Sequence, residues 1–213
     1  SAFLAEAFSN STAALPATQE TTNGLLFGAA VAREIVALRS NDGWNVVVPY
    51  TPGTNAGGWR PTPPDFTPAI EPQWGGVTPF ALTNIIGERP GPPPALTSMA
   101  YFTAWDEVRI MGQDTSTNRT ADQSEISTFW DDPPGIAAAP AGKWNQIAQA
   151  LAVVHSNSLA QNVRLFAMLN VAQADAGIVA WDQKYFYNFW RPITAIRLAD
   201  QDSNPLTTAV TNW

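Results

Sequence analysis

An all-α fold, a bundle of helices carrying a long ordered Pro/Gly-rich loop, is the class this sequence predicts, on three observations. From Ser98 onward the apolar residues recur at helical spacing in one segment after another. Of the 18 prolines, 12 fall between Pro49 and Pro94, together with seven glycines, and a stretch so short of backbone donors and so fixed in φ is neither helix nor sheet. The one β-branched run, Val46 to Val48, is too short to build a sheet. The expected organisation is a single domain over residues 1–213, with 49–94 as a loop inside it.

The elements follow in order. Phe3, Leu4, Ala7 and Phe8 repeat at helical spacing, which predicts a packing helix within Ser1 to Ala14. Between Thr21 and Arg39 a stripe of Leu25, Leu26, Ala29, Ala32, Ile35, Val36 and Leu38 predicts a core helix, ended by Asn41-Asp42-Gly43. Residues 49–94 form a loop over the helical core rather than a solvated linker, because Trp59, Phe66, Trp74 and Phe80 supply anchors. Arg60 and Arg89 within it read as surface charges in preference to entrance residues. Ser98 caps a helix through Met99, Phe102, Trp105, Val108 and Ile110. Thr120 to Gln123 has the form of a capping box and opens a helix that the Asp131-Asp132-Pro133-Pro134-Gly135 turn ends. Asp131 and Asp132 read as turn formers, not metal ligands. Trp144 to Val154 is a further helix, and Leu159 to about Trp181 a long one. The polar Asn162, Arg164, Asn170, Gln173 and Asp175 of the latter are expected to hydrogen-bond to neighbours in the bundle.

Composition narrows the function. At 213 residues, with 45% hydrophobic and 11% aromatic content, the chain is long enough to bury a sizeable core. A net charge of −7 argues against nucleic acid or an acidic membrane surface as partner. No stretch reaches the roughly 18 uninterrupted apolar residues of a membrane span, since Asn170, Gln173 and Asp175 break the best one. There are no cysteines, hence neither disulfides nor thiolate metal sites. Ser1 reads as a processed or trimmed start, no signal peptide is visible, and the compartment stays open, with a periplasmic or secreted location the favoured side. Asn10-Ser11-Thr12 and Asn118-Arg119-Thr120 match the glycosylation pattern but read as ordinary polar turns. His155, the sole histidine, lies at a helix end without a motif around it and is assigned a structural or surface role.

The chemistry-bearing stretch runs from Lys184 to Pro192. Lys184 is one of only two lysines, the other being Lys143, and it stands seven residues before Arg191 in a run otherwise made of aromatic rings and Asn188. Cations held in a partly dry aromatic wall call for an anion, and a tetrahedral oxyanion satisfies both together. Pro192 suits the first position of a new helix, which sets Arg191 beside free backbone N–H groups at a positive helix end. The competing reading is that both side chains snorkel from an aromatic helix to surface carboxylates.

A lysine, six residues, then Arg-Pro resembles the first of three signature segments of the vanadium-dependent haloperoxidase and type 2 phosphatidic acid phosphatase superfamily. Outside that segment, Asn162 to Asn170, Ala174 to Gly177, Ala180 to Asp182, Gly58 to Pro64, Trp74-Gly75, Pro79-Phe80, and Arg119-Thr120 with Phe129-Trp130 resemble the bacterial haloperoxidase-like branch, so the similarity runs from about Gly24 onward. The second segment, Pro-Ser-Gly-His, and the third, an arginine followed by the anion-binding histidine, are absent from these residues.

The resemblance implies the first part of a larger helical bundle of the vanadium haloperoxidase type, incomplete as given. It implies vanadate as cofactor, with phosphate able to take its place, and hydrogen peroxide and halide as substrates. Lys184 and Arg191 would hold the oxyanion, Lys184 would polarise peroxide for attack by halide, and Trp181 would line the halide side of the pocket. Acid phosphatase activity on a phosphoester is the first alternative, because phosphate shares the shape and charge of vanadate. The second is an inactive fragment or helical interaction module. With two motifs missing, the chain alone is expected to be inactive and to show either an uncovered apolar face near Lys184 and Arg191 or a covering polypeptide, a second chain with the missing motifs or another copy.

Overall fold

The computed structural model describes residues 2–131 and 139–213. Among these residues there are α-helices and short 3-10 turns but no strand, only an isolated antiparallel bridge between Gly58 and Phe189. The turn expected at Asp132 to Gly135 lies outside the described residues. By contacts the chain divides into two compact units, Ser1–Asp42 and Gly43–Trp213.

The first unit holds α1 (Ala2–Thr12) and α2 (Gln19–Arg39), the latter capped by Thr18, whose side chain accepts from the Thr21 N–H. No residue of either helix is buried, and Phe27 and Leu38 are 73% and 72% exposed. The packing and core roles expected for these helices are therefore not what this unit displays. Helical spacing finds an apolar stripe but does not say what covers it. Asn10 lies inside α1 rather than in a turn.

In the second unit Val46 to Val48 is irregular and exposed, so no vestige of strand forms there. Helix α3 (Met99–Met111) begins where Ser98 accepts from the Tyr101 N–H, and α4 (Ala121–Trp130) begins at a complete Thr120/Gln123 capping box. Helix α5 (Ala139–Val154) starts five residues before the expected Trp144. Helix α6 (Leu159–Tyr187) opens on a second capping box, Ser158/Gln161, and runs six residues beyond Trp181. Pro192 starts the short α7 (Pro192–Arg197), with Arg191 as its N-cap.

The core lies between α3 and α7, where Tyr101, Trp105, Trp190, Ala195, Ile196 and Ala199 are buried together and Trp105 Nε1 donates to the Ala195 carbonyl at 3.2 Å. Reciprocal amide bonds between Asn145 and Asn170, at 2.9 and 3.1 Å, join α5 to α6.

Helix α6 also carries the proline-rich loop, and of the expected aromatic anchors Trp59 and Trp74 are half-buried, Trp74 in a 3-10 turn packed on α6. Phe66 and Phe80 stay exposed. The buried Asp175 carboxylate instead accepts three consecutive backbone N–H groups, from Phe80, Ala81 and Leu82, at 2.6, 2.8 and 2.9 Å. Arg89 grips Asp182 through two bonds at 2.5 and 2.7 Å and stacks 3.9 Å from the Phe186 ring centre. Gly75 sits so close to α6 that an added Cβ would stand 2.6 Å from the Asp182 Cα, which only glycine permits. Arg60 donates to the carbonyls of Thr54 and Asn55. Neither arginine is a free surface charge: each ties down the loop.

Of the polar residues expected to find partners on α6, Asn170 and Asp175 do so, whereas Asn162 Oδ1 and Gln173 Nε2 are buried without one. The most apolar 18-residue window of α6 has a mean hydropathy of 1.3, which makes the helix a candidate span by length and composition alone, and Asn170, Gln173 and Asp175 interrupt it as expected. Its Asp175 and Asp182 are engaged by the chain's own loop. Leu159, Val163, Met168 and Phe186 on the same helix are exposed.

Candidate functional site

The C-terminal end of α6 makes the site. Asn188 stops the helix in the left-handed conformation, φ 47° and ψ 39°, which asparagine tolerates better than most residues, and its N–H donates to the Lys184 carbonyl. The chain then runs extended past Gly57–Trp59: the Trp59 N–H donates to the Asn188 carbonyl at 2.9 Å and the Trp190 N–H to the Gly57 carbonyl at 2.8 Å. In a continuous helix residues seven apart are separated by about 10 Å along the axis. Here the break and the clip turn Arg191 back toward the last turn of α6.

As a result Lys184 and Arg191 line one cavity of about 410 Å³. The rest of its lining comes from Tyr50, Trp59, Tyr185 and Asn188 and from residues of the loop between Thr62 and Ile70. Asp65 is the one carboxylate among the lining residues. Tyr50 meets Trp59 and Tyr185 edge-on, with ring centres 5.5 and 5.2 Å apart, and its hydroxyl donates to Asn188 Oδ1. The Tyr185 hydroxyl donates to the Ile70 carbonyl at 2.6 Å. Burial raises the pKa of both tyrosines, so both remain protonated donors.

Trp181 does not line the cavity itself. Its ring lies against Lys184, with Nζ 4.6 Å from the ring centre, and its indole N–H donates to the Ile70 carbonyl at 3.1 Å. Lys184 and Arg191 are both exposed as well as lining the cavity. The surroundings nevertheless hold the Lys184 amine below its ordinary pKa, first through desolvation and then through the charge of Arg191. The Trp59 indole N–H, in a ring of the wall, is buried without an acceptor. Two cations against the single carboxylate of Asp65 give the cavity a positive balance, the chemistry that suits an oxyanion.

Neither cation has a carboxylate partner in an ion pair among the described residues, which disfavours the snorkelling alternative. His155 is exposed and is not among these lining residues. Among the described residues no cluster of three or more histidine, cysteine or carboxylate side chains is arranged to hold a metal ion. Sequence reasoning named Lys184 and Arg191 but missed Tyr50, Trp59, Tyr185 and Asn188. The last two were visible inside the same short stretch; nothing in sequence spacing linked Tyr50 or Trp59 to it.

Comparison with known proteins falls on the same stretch. A family model described as the VCPO second helical-bundle domain matches residues 164–208, which take in most of α6, all of α7 and both cations. Vanadium chloroperoxidase of Curvularia inaequalis is 36% identical over 123 residues, covering 49% of this chain and 20% of that protein. The crystal structure of a bacterial vanadium-dependent iodoperoxidase superposes with a TM-score of 0.75 at 29% identity, over 88% of this chain and 48% of the other. The chain therefore spans about half the length of that structural relative and a fifth of the curated one.

Proposed function

We propose that this chain, a member of the vanadium haloperoxidase superfamily, supplies the Lys184–Arg191 part of an oxyanion site at which vanadate is held and halide is oxidised by hydrogen peroxide. The observation that carries this reading is the convergence of Lys184 and Arg191 on one cavity, inside the stretch that matches the family. Two cations in a lining that holds one carboxylate, Asp65, fit a tetrahedral oxyanion.

The named relatives are a chloroperoxidase and an iodoperoxidase, which favours peroxide-dependent halide oxidation over phosphate-ester hydrolysis. Bound vanadate would supply the electrophilic centre at which peroxide becomes open to attack by halide. The net reaction consumes one halide, one peroxide and one proton and releases hypohalous acid and water, the halide giving the electron pair that breaks the O–O bond.

Within it the chain's own residues have separate tasks. Arg191 offers a planar, permanently charged fork that offsets anion charge without exchanging a proton. Lys184, with its pKa lowered by its surroundings, is the better proton donor and is assigned to the oxygen that departs as the O–O bond breaks. Trp181 holds the ammonium in place from below. The rings of Tyr50, Trp59 and Tyr185 make part of the lining apolar, beside which an electrostatic contact counts for more than in open water.

The test compares turnover of bromide or iodide with peroxide and vanadate against turnover of a phosphomonoester, in wild type and in Lys184→Ala and Arg191→Ala. Peroxide-dependent halide oxidation that requires both residues supports the reading. Phosphomonoester turnover alone would transfer the same cradle to a phosphatase.

A further inference from the structure

We propose that Asn188 is a third ligand of the oxyanion, donating a hydrogen bond from its side-chain Nδ2 between the two cations; this rests on the reading of the cavity as an oxyanion site. Asn188 stands four residues after Lys184 and three before Arg191, and it lines the same cavity. Its other hydrogen-bonding groups are all taken by the protein. The backbone N–H donates to the Lys184 carbonyl at 3.1 Å, the backbone carbonyl accepts from the Trp59 N–H at 2.9 Å, and Oδ1 accepts from the Tyr50 hydroxyl.

What remains is the NH₂ end of the amide. Nδ2 has no acceptor among the described residues and is not sealed inside the protein, so it is free to meet a ligand in the cavity that Asn188 lines. Its direction is fixed by Tyr50. A tyrosine hydroxyl kept protonated by burial has a proton to give, and giving it to Oδ1 turns the amide nitrogen the other way. Tyr50 is itself held between the rings of Trp59 and Tyr185.

The chemistry favours a neutral donor at this position. Lys184 already feels the charge of Arg191, and a third cation would add to that repulsion, whereas an amide contributes a donor without charge. The αL backbone at Asn188 serves the same end: one residue stops α6 ahead of Arg191 and carries an amide donor into the lining that both cations share.

The test measures anion binding rather than turnover. Purified protein is titrated with orthovanadate, followed by vanadium NMR, and separately with inorganic phosphate by calorimetry. Asn188→Gly removes the amide and keeps a residue suited to the αL cap, and a matching thermal melt verifies that the fold is retained. The proposal expects roughly tenfold weaker binding of both anions in Asn188→Gly, the loss of one hydrogen bond to a charged acceptor. Asn188→Asp should bind more weakly still, and Tyr50→Phe should show a smaller loss in the same direction. Unchanged binding in Asn188→Gly overturns the proposal, and tighter binding does so by showing that Oδ1, not Nδ2, faces the cations. Lys184→Ala and Arg191→Ala separate the two ideas. If they abolish binding while Asn188→Gly leaves it intact, only the role of Asn188 falls; if wild type binds neither anion, or neither cation variant matters, the oxyanion site falls and Asn188 with it.

Discussion

The Lys184 Nζ stands 4.6 Å from the centre of the Trp181 ring, one helical turn earlier on α6. The indole face attracts the ammonium through the ring quadrupole, and the indole is itself fixed by its bond to the Ile70 carbonyl. Helix and proline-rich loop therefore set the position of the cation jointly. A distortion of the loop is transmitted to the charge, and this coupling underlies the predictions that follow.

The first concerns pH. The folded-state pKa of Lys184 is lowered, by desolvation first and Arg191 second, so the folded chain binds fewer protons than the unfolded chain just below the ordinary amine pKa of 10.5. Stability then rises with pH through that window, because the cost of burying the charged amine is relieved as the proton leaves. A bound anion acts in the opposite direction and raises the Lys184 pKa. Sulfate, whose charge is constant across the range, should accordingly bind more weakly as pH rises from about 7 to about 10, and the decline should be much flatter in Lys184→Met. A sulfate titration at several pH values measures both; identical slopes in the two proteins would contradict the assignment.

The second concerns the loop. Asp175→Asn keeps the shape of the side chain but removes the charge and one of the acceptor oxygens that take the N–H groups of Phe80, Ala81 and Leu82. A buried hydrogen bond to a charged group is worth about 1.5–3 kcal/mol, so a loss of about 2–4 kcal/mol is expected. Chemical denaturation measures it, and limited proteolysis should cut first within 49–94.

The third uses neighbouring glycines. In Gly75→Ala the new methyl would stand 2.6 Å from the Asp182 Cα, a backbone atom that cannot swing aside, whereas nothing lies within 4 Å of a Cβ added at Gly76. Gly75→Ala should cost about 1–3 kcal/mol or more and loosen the Arg89–Asp182 pair. Gly76→Ala should be near neutral by the same thermal melt.

How far the sequence could be read depended on range. Ser98 and Thr120 were legible as helix caps because a cap is satisfied within three residues. Lys184 and Arg191 were legible as a pair because their spacing is short and every residue between them except Asn188 is aromatic. The end of α6 was placed six residues early, since what stops the helix is the αL turn at Asn188, held by Trp59 from well over a hundred residues upstream. Asp175 was expected to bond within the bundle, but its partners are backbone amides about 95 residues away, and backbone amides leave no trace in a residue pattern. The stripe on α2 was read as core because periodicity reports an apolar face and says nothing of what meets it.

The last prediction separates the two cations by what each does. Arg191 keeps its charge throughout, so its interaction with the anion is much the same before and during reaction, and Arg191→Ala should weaken vanadate affinity while leaving turnover at saturating vanadate less affected. Lys184 is given the opposite weighting, because a donor aimed at the oxygen that gains charge as the O–O bond breaks is stronger in the transition state than before it. In the enzyme with vanadate bound, Lys184→Ala should lower the rate of bromide or iodide oxidation by about 10²–10³-fold, as removal of such a donor does elsewhere. Its vanadate affinity should fall by only about tenfold, the value of one charge-assisted contact. Initial rates at saturating vanadate, set beside a vanadate titration of the same protein, give both quantities. Equal losses of rate and affinity in Lys184→Ala would make the lysine a second holder of the anion and remove its part in the chemistry.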